Sequence, residues 1–273
     1  MHNAWEVIMK EFGLQLYSVR DHMDTEEGVK ETFIKLKGMG YSTAQTAGTY
    51  DFIAPERFAE YAKDAGIEIC GTHYNWDRIR DDVEGTVAYH KALGTTNVGI
   101  GSMPFAVRAN IEVLTEFIDE FNAVAAKYAE YGMKLTYHNH SFEFKKLEDG
   151  RTLFDHLVEK LDKNNVSFVL DTYWLQHGGK DIREMIELLA GRVDILHIKD
   201  MEACHPTKIG ETVIDIPSII EIGSGNLNFK SIIATAEACG VKYIVVEDDR
   251  AVDVGSFDAV KKSADYIKAN LIK

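Results

Sequence analysis

Residues 166–198 read VSFVLDTYWLQHGGKDIREMIELLAGRVDILHI. Val166 to Leu170 and Val193 to Ile198 are short apolar runs of strand length, and Ile182 to Leu189 between them reads as a helix. A strand, a helix and a second strand in that order make a right-handed βαβ unit with parallel strands.

The same alternation extends in both directions. Toward the N-terminus, strands are expected at Phe12 to Tyr17, Ser42 to Ala47, Ile67 to His73, Asn97 to Gly101 and Met133 to His138. Helices are expected between them at Glu26 to Met39, Pro55 to Gly66, Asp82 to Leu93, Ala109 to Tyr131 and Leu153 to Leu161. Gly40 and Gly66 follow the first two as stop signals, and Pro55 suits a first helical turn. Ile111, Leu114, Phe117, Ile118, Phe121 and Val124 form an apolar stripe at helical spacing. Toward the C-terminus come a helix at Phe229 to Cys239, a strand at Tyr243 to Glu247 and a helix at Ser256 to Asn270. Eight such units point to a (β/α)8 TIM barrel, whose usual size of around 250 residues suits a chain of 273. An open doubly wound sheet is the alternative, but no GxGxxG follows the first strand. With no linker or low-complexity tract, residues 1–273 read as a single domain, organised from about residue 12.

Composition narrows the function. The formal charge of −14 lacks the basic signature of phosphate neutralisation, so no nucleic-acid partner is expected. Cys70, Cys204 and Cys239 are odd in number and far apart, which suggests neither a zinc knuckle nor a disulfide framework and fits a reducing cytoplasm. No apolar run reaches the roughly 18 residues of a membrane span, and no membrane partner is expected. Met1 to Glu11 is charged and lacks a signal-peptide core, with Met9 an alternative start, so a cytoplasmic protein is the expectation.

Barrel enzymes place their chemistry at the carboxyl ends of the strands. Strand five ends in Tyr137-His138-Asn139-His140-Ser141-Phe142-Glu143-Phe144, strand six in Leu170-Asp171-Thr172-Tyr173-Trp174, strand seven in His197-Ile198-Lys199-Asp200-Met201, and strand eight in Val246-Glu247-Asp248-Asp249. Four neighbouring strands thus finish with an imidazole or a carboxylate. Buried charges are costly unless paired or bound to a metal. A mixed set of this kind suits Mn²⁺, Zn²⁺, Fe²⁺ or Co²⁺. His138, Asp171, His197 and Glu247 are the expected ligands of one divalent ion. Strand periodicity puts Lys199 on the face of His197, and His140 on that of His138. Gln15 and Tyr17 on strand one, His73 at the end of strand three, and Trp174 after Asp171 are candidate substrate contacts, as is Lys199. Each residue also has a plainer reading: Asp171 as a turn cap, Glu247 in a solvated acidic run, His140 as a support for His138, the others as barrel packing or rim.

These segments, with Gly13-Leu14-Gln15-Leu16-Tyr17-Ser18-Val19-Arg20-Asp21 and Gly223-Ser224-Gly225, resemble the sugar phosphate isomerase/epimerase family of the xylose-isomerase-like barrel superfamily. The matching pieces run from residue 12 to about residue 250. The resemblance implies one divalent metal, commonly Mn²⁺, a small carbohydrate substrate and a homodimer. It further implies a Glu, Asp, His, Glu ligand set whose two glutamates move protons on opposite faces of the substrate. Asp171, His197 and Glu247 follow that pattern, whereas His138 stands where the first Glu belongs. With one glutamate gone, Glu247 is the expected general base, and Glu143 or His140 the candidate replacement for the missing one. The expected reaction is proton abstraction next to a carbonyl, leading to isomerisation or epimerisation of a sugar, sugar phosphate or keto-sugar. The His-x-His at strand five also resembles inosose dehydratases, so a lyase acting on a keto-sugar or keto-inositol is the alternative. An endonuclease IV-like phosphodiesterase shares the barrel but needs three zinc ions, more ligands and a DNA groove. A barrel that binds without turnover is the last option.

Overall fold

The structure, a computed structural model, describes residues 10–272. Met9, expected above as an alternative start, lies outside them. Among the described residues ten strands occur in chain order: β1 (Gly13–Gln15), β2 (Thr43–Ala47), β3 (Glu68–His73), β4 (Asn97–Ile100), β5 (Lys134–His138), β6 (Val166–Asp171), β7 (Val193–Ile198), β8 (Asp200–Ile209), β9 (Thr212–Ile220) and β10 (Tyr243–Val246). Eight of them form one parallel sheet in the order β3-β2-β1-β10-β7-β6-β5-β4. The two ends of that sheet meet through a parallel bridge between Tyr74 and Ile100, where Tyr74 N–H donates to the Gly99 carbonyl at 2.6 Å. The result is a nearly closed (β/α)8 barrel, as the alternation of elements predicts.

Local sequence explains the connections. Thr25 caps the helix Glu26–Met39 by accepting from Gly28 N–H, and Gly40 ends it in the left-handed region at φ 108°. Pro55 starts the helix Pro55–Ala65, which Gly66 closes at φ 73°. The stripe on the helix Ile111–Ala129 is buried against the sheet, with Leu114, Phe117, Ile118 and Phe121 all in the core. Outward-facing strand residues such as Leu14, Tyr137, Phe168 and Leu196 belong to the same sheet–helix core.

Inside the barrel, Cys70, Val169, Ile195 and Val245 form a separate apolar cluster. Val169, Ile195 and Val245 each precede a site residue, Asp171, His197 or Glu247, by two positions and so share its face. That cluster is the dry floor beneath the strand-end groups.

Three segments depart from the expected elements. Strand one stops at Gln15 instead of Tyr17, because the Gln15 side chain accepts from Tyr17 N–H and caps a 3-10 helix at Leu16–His22. Gln15 and Tyr17 therefore do not share a strand face. In β3 a register shift opposite Ala44 and Gln45 interrupts the regular alternation of faces. Ile69 turns to the sheet–helix core and Cys70 to the barrel interior. Finally, β8 and β9, expected only as connecting chain, pair as an antiparallel ribbon after β7. Beyond its first rungs the ribbon is largely exposed, including Ile209, Val213, Ile214 and Ile216. Its base is held by Asp200, whose carboxylate accepts from the N–H groups of Met201, Gly223, Gly225 and Leu227 at 2.8–3.2 Å. The Gly223–Gly225 stretch is thus a pinned turn.

Candidate metal and catalytic centre

Parallel strands ending at one rim place His138, Asp171, His197 and Glu247 side by side, all buried. His138 Nε2 lies 3.5 Å from Asp171 Oδ2 and 4.0 Å from Glu247 Oε2. His197 Nδ1 lies 2.9 Å from Glu247 Oε2 and 3.9 Å from Asp171 Oδ2. Bonds of about 2.1 Å put neighbouring donor atoms about 3.0–3.4 Å apart in octahedral or tetrahedral geometry. The observed spacings bracket that range, so one divalent ion fits the four residues.

Two of these atoms carry the fit test. His138 Nε2 and Asp171 Oδ2 are both buried; the imidazole nitrogen has no hydrogen-bond partner, and the carboxylate oxygen is ion-paired with Lys199 Nζ at 3.1 Å. A buried imidazole nitrogen is usually completed by a protein partner, an ordered water or a bound group. The rest of each side chain is held. His138 Nδ1 faces the Gly101 carbonyl at 3.0 Å, which puts the proton on Nδ1 and turns the Nε2 lone pair to the centre. Asp171 Oδ1 accepts from Trp174 N–H at 2.9 Å and caps the helix Thr172–His177. The capping reading of Asp171 holds through Oδ1, while Oδ2 faces the centre. His197 Nε2 meets Gln45 Oε1, leaving Nδ1 for the carboxylates.

Lys199 extends from the end of β7 into the same cluster. Its Nζ is 3.1 Å from Asp171 Oδ2, 2.8 Å from Glu247 Oε2 and 3.2 Å from Asp249 Oδ2. Burial opposes its charge, but the three carboxylates outweigh it and raise the lysine well above its ordinary value. Burial likewise pushes Asp171 and Glu247 upward, yet Lys199 and the neighbouring imidazoles hold both carboxyls low, and Glu247 well below its usual range. His138 is pulled down by burial and then raised past its ordinary value by Asp171 and Glu247. Burial keeps His197 low, and burial with the nearby His138 and His197 keeps His73 well below the usual imidazole range. The centre thus holds two ionised carboxylates beside a charged ammonium, in a barrel closed to water from below.

Above it opens a cleft of about 410 Å³ lined by Tyr17, Ala47, Gly48, His73, Gly101, His138, His140, Lys199, Glu247 and Asp249. That volume suits a small molecule. Of the expected substrate contacts, Tyr17, His73 and Lys199 line it, while Gln15 lies beneath, behind His73. Trp174 does not line it and stands beside His140, ring centroids 5.3 Å apart. His140 lines the cleft and is driven to about 3, first by burial and then by His138 and Lys199, so it is uncharged. Glu143 points elsewhere: it accepts from Tyr137 Oη and from His140 N–H, each at 2.8 Å, and is fully buried. Burial raises it to about 7 against those hydrogen bonds.

Gln45, Gly101, Asn139 and Asp249 belong to the site but were not singled out by the sequence reading. Gln45 pairs in register with Gln15, and Asn139 Oδ1 accepts from Asp171 N–H at 3.0 Å. Asp249 lies in the turn beyond the end of β10 and joins the site through Lys199 Nζ, 3.2 Å from its Oδ2. Among the described residues, no helix is long and apolar enough to cross a membrane.

Known proteins share this architecture. A sugar phosphate isomerase/epimerase from Parabacteroides distasonis ATCC 8503 superposes with a TM-score of 0.79 at 26% identity, covering 97% of this chain and 100% of that one. A solved L-ribulose 3-epimerase shares the fold with a TM-score of 0.68 at 14% identity, over 96% of this chain and 95% of its own. Inosose dehydratase from Geobacillus thermodenitrificans (strain NG80-2) is 26% identical over 160 residues, 55% of this chain and 52% of that protein. The Clostridium perfringens (strain 13 / Type A) inosose dehydratase is 25% identical over 170 residues, 58% and 55% of the two chains. The chain thus spans about half the length of the curated relatives it matches. Residues 33–270 match the family model described as the xylose isomerase-like TIM barrel, and the chain belongs to that family.

Proposed function

We propose that this protein is a divalent-metal-dependent isomerase or epimerase of a small sugar or keto-sugar, working by proton abstraction next to a carbonyl. The observation that carries this reading is the convergence of four buried donor groups, those of His138, Asp171, His197 and Glu247, with His138 Nε2 left without a hydrogen-bond partner. His138, Asp171, His197 and Glu247 would hold the ion, with Mn²⁺ the first candidate and Zn²⁺, Co²⁺ or Fe²⁺ equally matched to the donors. When bound, the ion supplies Lewis acidity toward the carbonyl and an adjacent hydroxyl.

The protein's own groups do the rest. Glu247 is ionised at the cleft floor and accepts the proton from the carbon beside the carbonyl. Lys199 carries its charge at the same wall and stabilises the negative charge that develops on the substrate oxygen. Return of the proton from Glu247 to the neighbouring carbon, with the hydroxyl proton passing to the former carbonyl oxygen, completes an isomerisation with one base. Glu143 faces Tyr137 and the His140 backbone, and His140 is uncharged, so the second carboxylate base of a two-sided epimerase has no counterpart on strand five.

That one-sided arrangement, together with the partial likeness to inosose dehydratases, favours a second reading: loss of a β-hydroxyl after the same proton abstraction. One experiment separates the two. Metal-loaded protein is incubated in D₂O with a panel of keto-sugars and keto-inositols and followed by proton NMR. Deuterium entering next to the carbonyl with an isomeric sugar as product supports the isomerase. Exchange followed by loss of water supports the lyase, and no exchange with any compound contradicts both.

A further inference from the structure

Three imidazoles, His73, His138 and His197, converge closely enough to ligate one ion together. Their hydrogen bonds distinguish them. Gln15 is oriented by Tyr17, whose N–H donates to Gln15 Oε1 at 3.2 Å. The Gln15 amide nitrogen therefore faces inward, 3.1 Å from Gln45 Oε1 and 3.2 Å from His73 Nδ1. An amide NH₂ only donates, so His73 Nδ1 accepts and the His73 proton resides on Nε2. His138 is the reverse case, since a carbonyl only accepts and its Nδ1 faces the Gly101 carbonyl. His197 Nε2 faces Gln45 Oε1, which already receives the Gln15 amide, so this nitrogen also donates. His138 Nε2 thus turns a lone pair to the centre and His197 Nδ1 faces the Glu247 carboxylate at 2.9 Å, whereas His73 presents an N–H. His73 Nε2 is buried with no hydrogen-bond partner, on a side chain that lines the substrate cleft.

We infer that His73 is a neutral hydrogen-bond donor to the substrate's carbonyl oxygen, and not a third imidazole ligand, with Gln15 as the positioning residue that fixes its tautomer. The inference rests on the proposed function only for the identity of the oxygen. A neutral imidazole aimed where charge develops stabilises a transition state without competing for the ion. The Gln15 and Gln45 amides then act as a pair, because their fixed orientation decides which histidine nitrogens can bind a metal and which can only donate.

The test uses histidine-¹⁵N-labelled full-length protein, metal-free and zinc-loaded, with long-range ¹H–¹⁵N correlation and His73→Gln to assign the signal. The expected result is the Nε2–H tautomer for His73 in both states, with zinc shifting only His138 and His197. Gln15→Leu, which removes the donor to Nδ1, moves His73 toward a mixture of tautomers. His73→Leu lowers turnover by about 10²-fold, the usual cost of one such donor. His73→Gln, which keeps an N–H near the Nε2 position, retains activity within about tenfold of wild type. Both variants leave zinc affinity within about threefold. A zinc-shifted His73 Nε2, or at least tenfold weaker zinc binding in both variants, overturns the inference, as does an Nδ1–H tautomer in the metal-free protein. If zinc shifts no histidine while His73 remains Nε2–H, the donor assignment stands and the metal reading fails.

Discussion

His138 Nε2 and Asp171 Oδ2 face each other across 3.5 Å, and the imidazole nitrogen has no hydrogen-bond partner. Lys199 Nζ, at 3.1 Å, is the cation that faces the aspartate oxygen. A folded protein keeps two such atoms together when something else completes them.

Asp171 offers a clean separation of roles, because Oδ1 caps a helix and Oδ2 faces the centre. Asp171→Asn keeps an oxygen for Trp174 N–H and removes the charge. It is expected to weaken metal binding by at least about 10²-fold while the fold loses roughly 1 kcal/mol or less. Asp171→Ala also loses the cap, a further cost of about 1 kcal/mol. Competition titration and calorimetry on both variants check this. Equal metal affinity in Asp171→Asn and wild type contradicts it.

Lys199 compensates three carboxylates in the metal-free protein. Lys199→Met leaves those charges buried and unpaired, a loss of roughly 3–5 kcal/mol. A divalent ion replaces the missing charge, so metal is expected to raise the melting temperature of the variant more than that of wild type. Turnover falls by roughly 10²–10³-fold, since the variant no longer presents a cation to the developing oxyanion. Thermal melts with and without metal decide the point; an equal metal-induced rise in both proteins is the contrary outcome.

At His138 Nε2 a proton and a metal ion compete for one lone pair. Burial disfavours the proton, but Asp171 and Glu247 more than reverse that and raise the imidazole above its ordinary value. Metal affinity is therefore expected to climb with pH, approaching about tenfold per unit below that raised value and levelling off above it. In the metal-free protein the same shift stabilises the fold fully below the ordinary imidazole range. That contribution is lost as pH rises through the folded value. The melting-temperature gain from metal should accordingly be largest at alkaline pH. Dissociation constants measured from about pH 5.5 to about pH 9 test the first half; a flat profile counts against it.

Glu143 is expected to act on stability rather than on the proton transfer. Glu143→Ala strands the Tyr137 hydroxyl and the His140 N–H in the interior, at about 2–3 kcal/mol in total. At roughly 2–4 °C per kcal/mol the melting temperature falls by about 4–12 °C. Metal affinity and the pH profile of turnover should stay close to wild type at a temperature where the variant is folded. A loss of turnover above about 10³-fold in folded, metal-loaded variant would return Glu143 to the role of base.

The barrel is legible in the sequence because its signals are local and repeated. Runs of apolar strand residues, stops at Gly40 and Gly66, and the stripe from Ile111 to Val124 each act within one element. His138, Asp171, His197 and Glu247 are legible for a related reason: in a parallel barrel every strand end reaches one rim. The ribbon of β8 and β9 is not, since its apolar residues Ile209, Val213, Ile214 and Ile216 are exposed and mark no buried face. Nor is the shift at Cys70, where one extra residue reverses the facing of Ile69 without any change in composition. Gln45 and Asp249 escaped because their roles come from neighbours across the barrel, His197 and Lys199, distant in the chain. Glu143 shows the converse: a carboxylate near the right strand end in sequence, turned by Tyr137 into the wall.

The central claim is that one divalent ion completes the cluster of His138, Asp171, His197 and Glu247. Metal content by mass spectrometry on purified protein, after reconstitution with Mn²⁺ or Zn²⁺ and removal of excess, tests it most directly beside His197→Ala and Glu247→Ala. About one ion per chain in wild type, and a loss of most of it in folded forms of both variants, is the expected result. No retained metal in reconstituted wild type, or the same content in the variants, would contradict it.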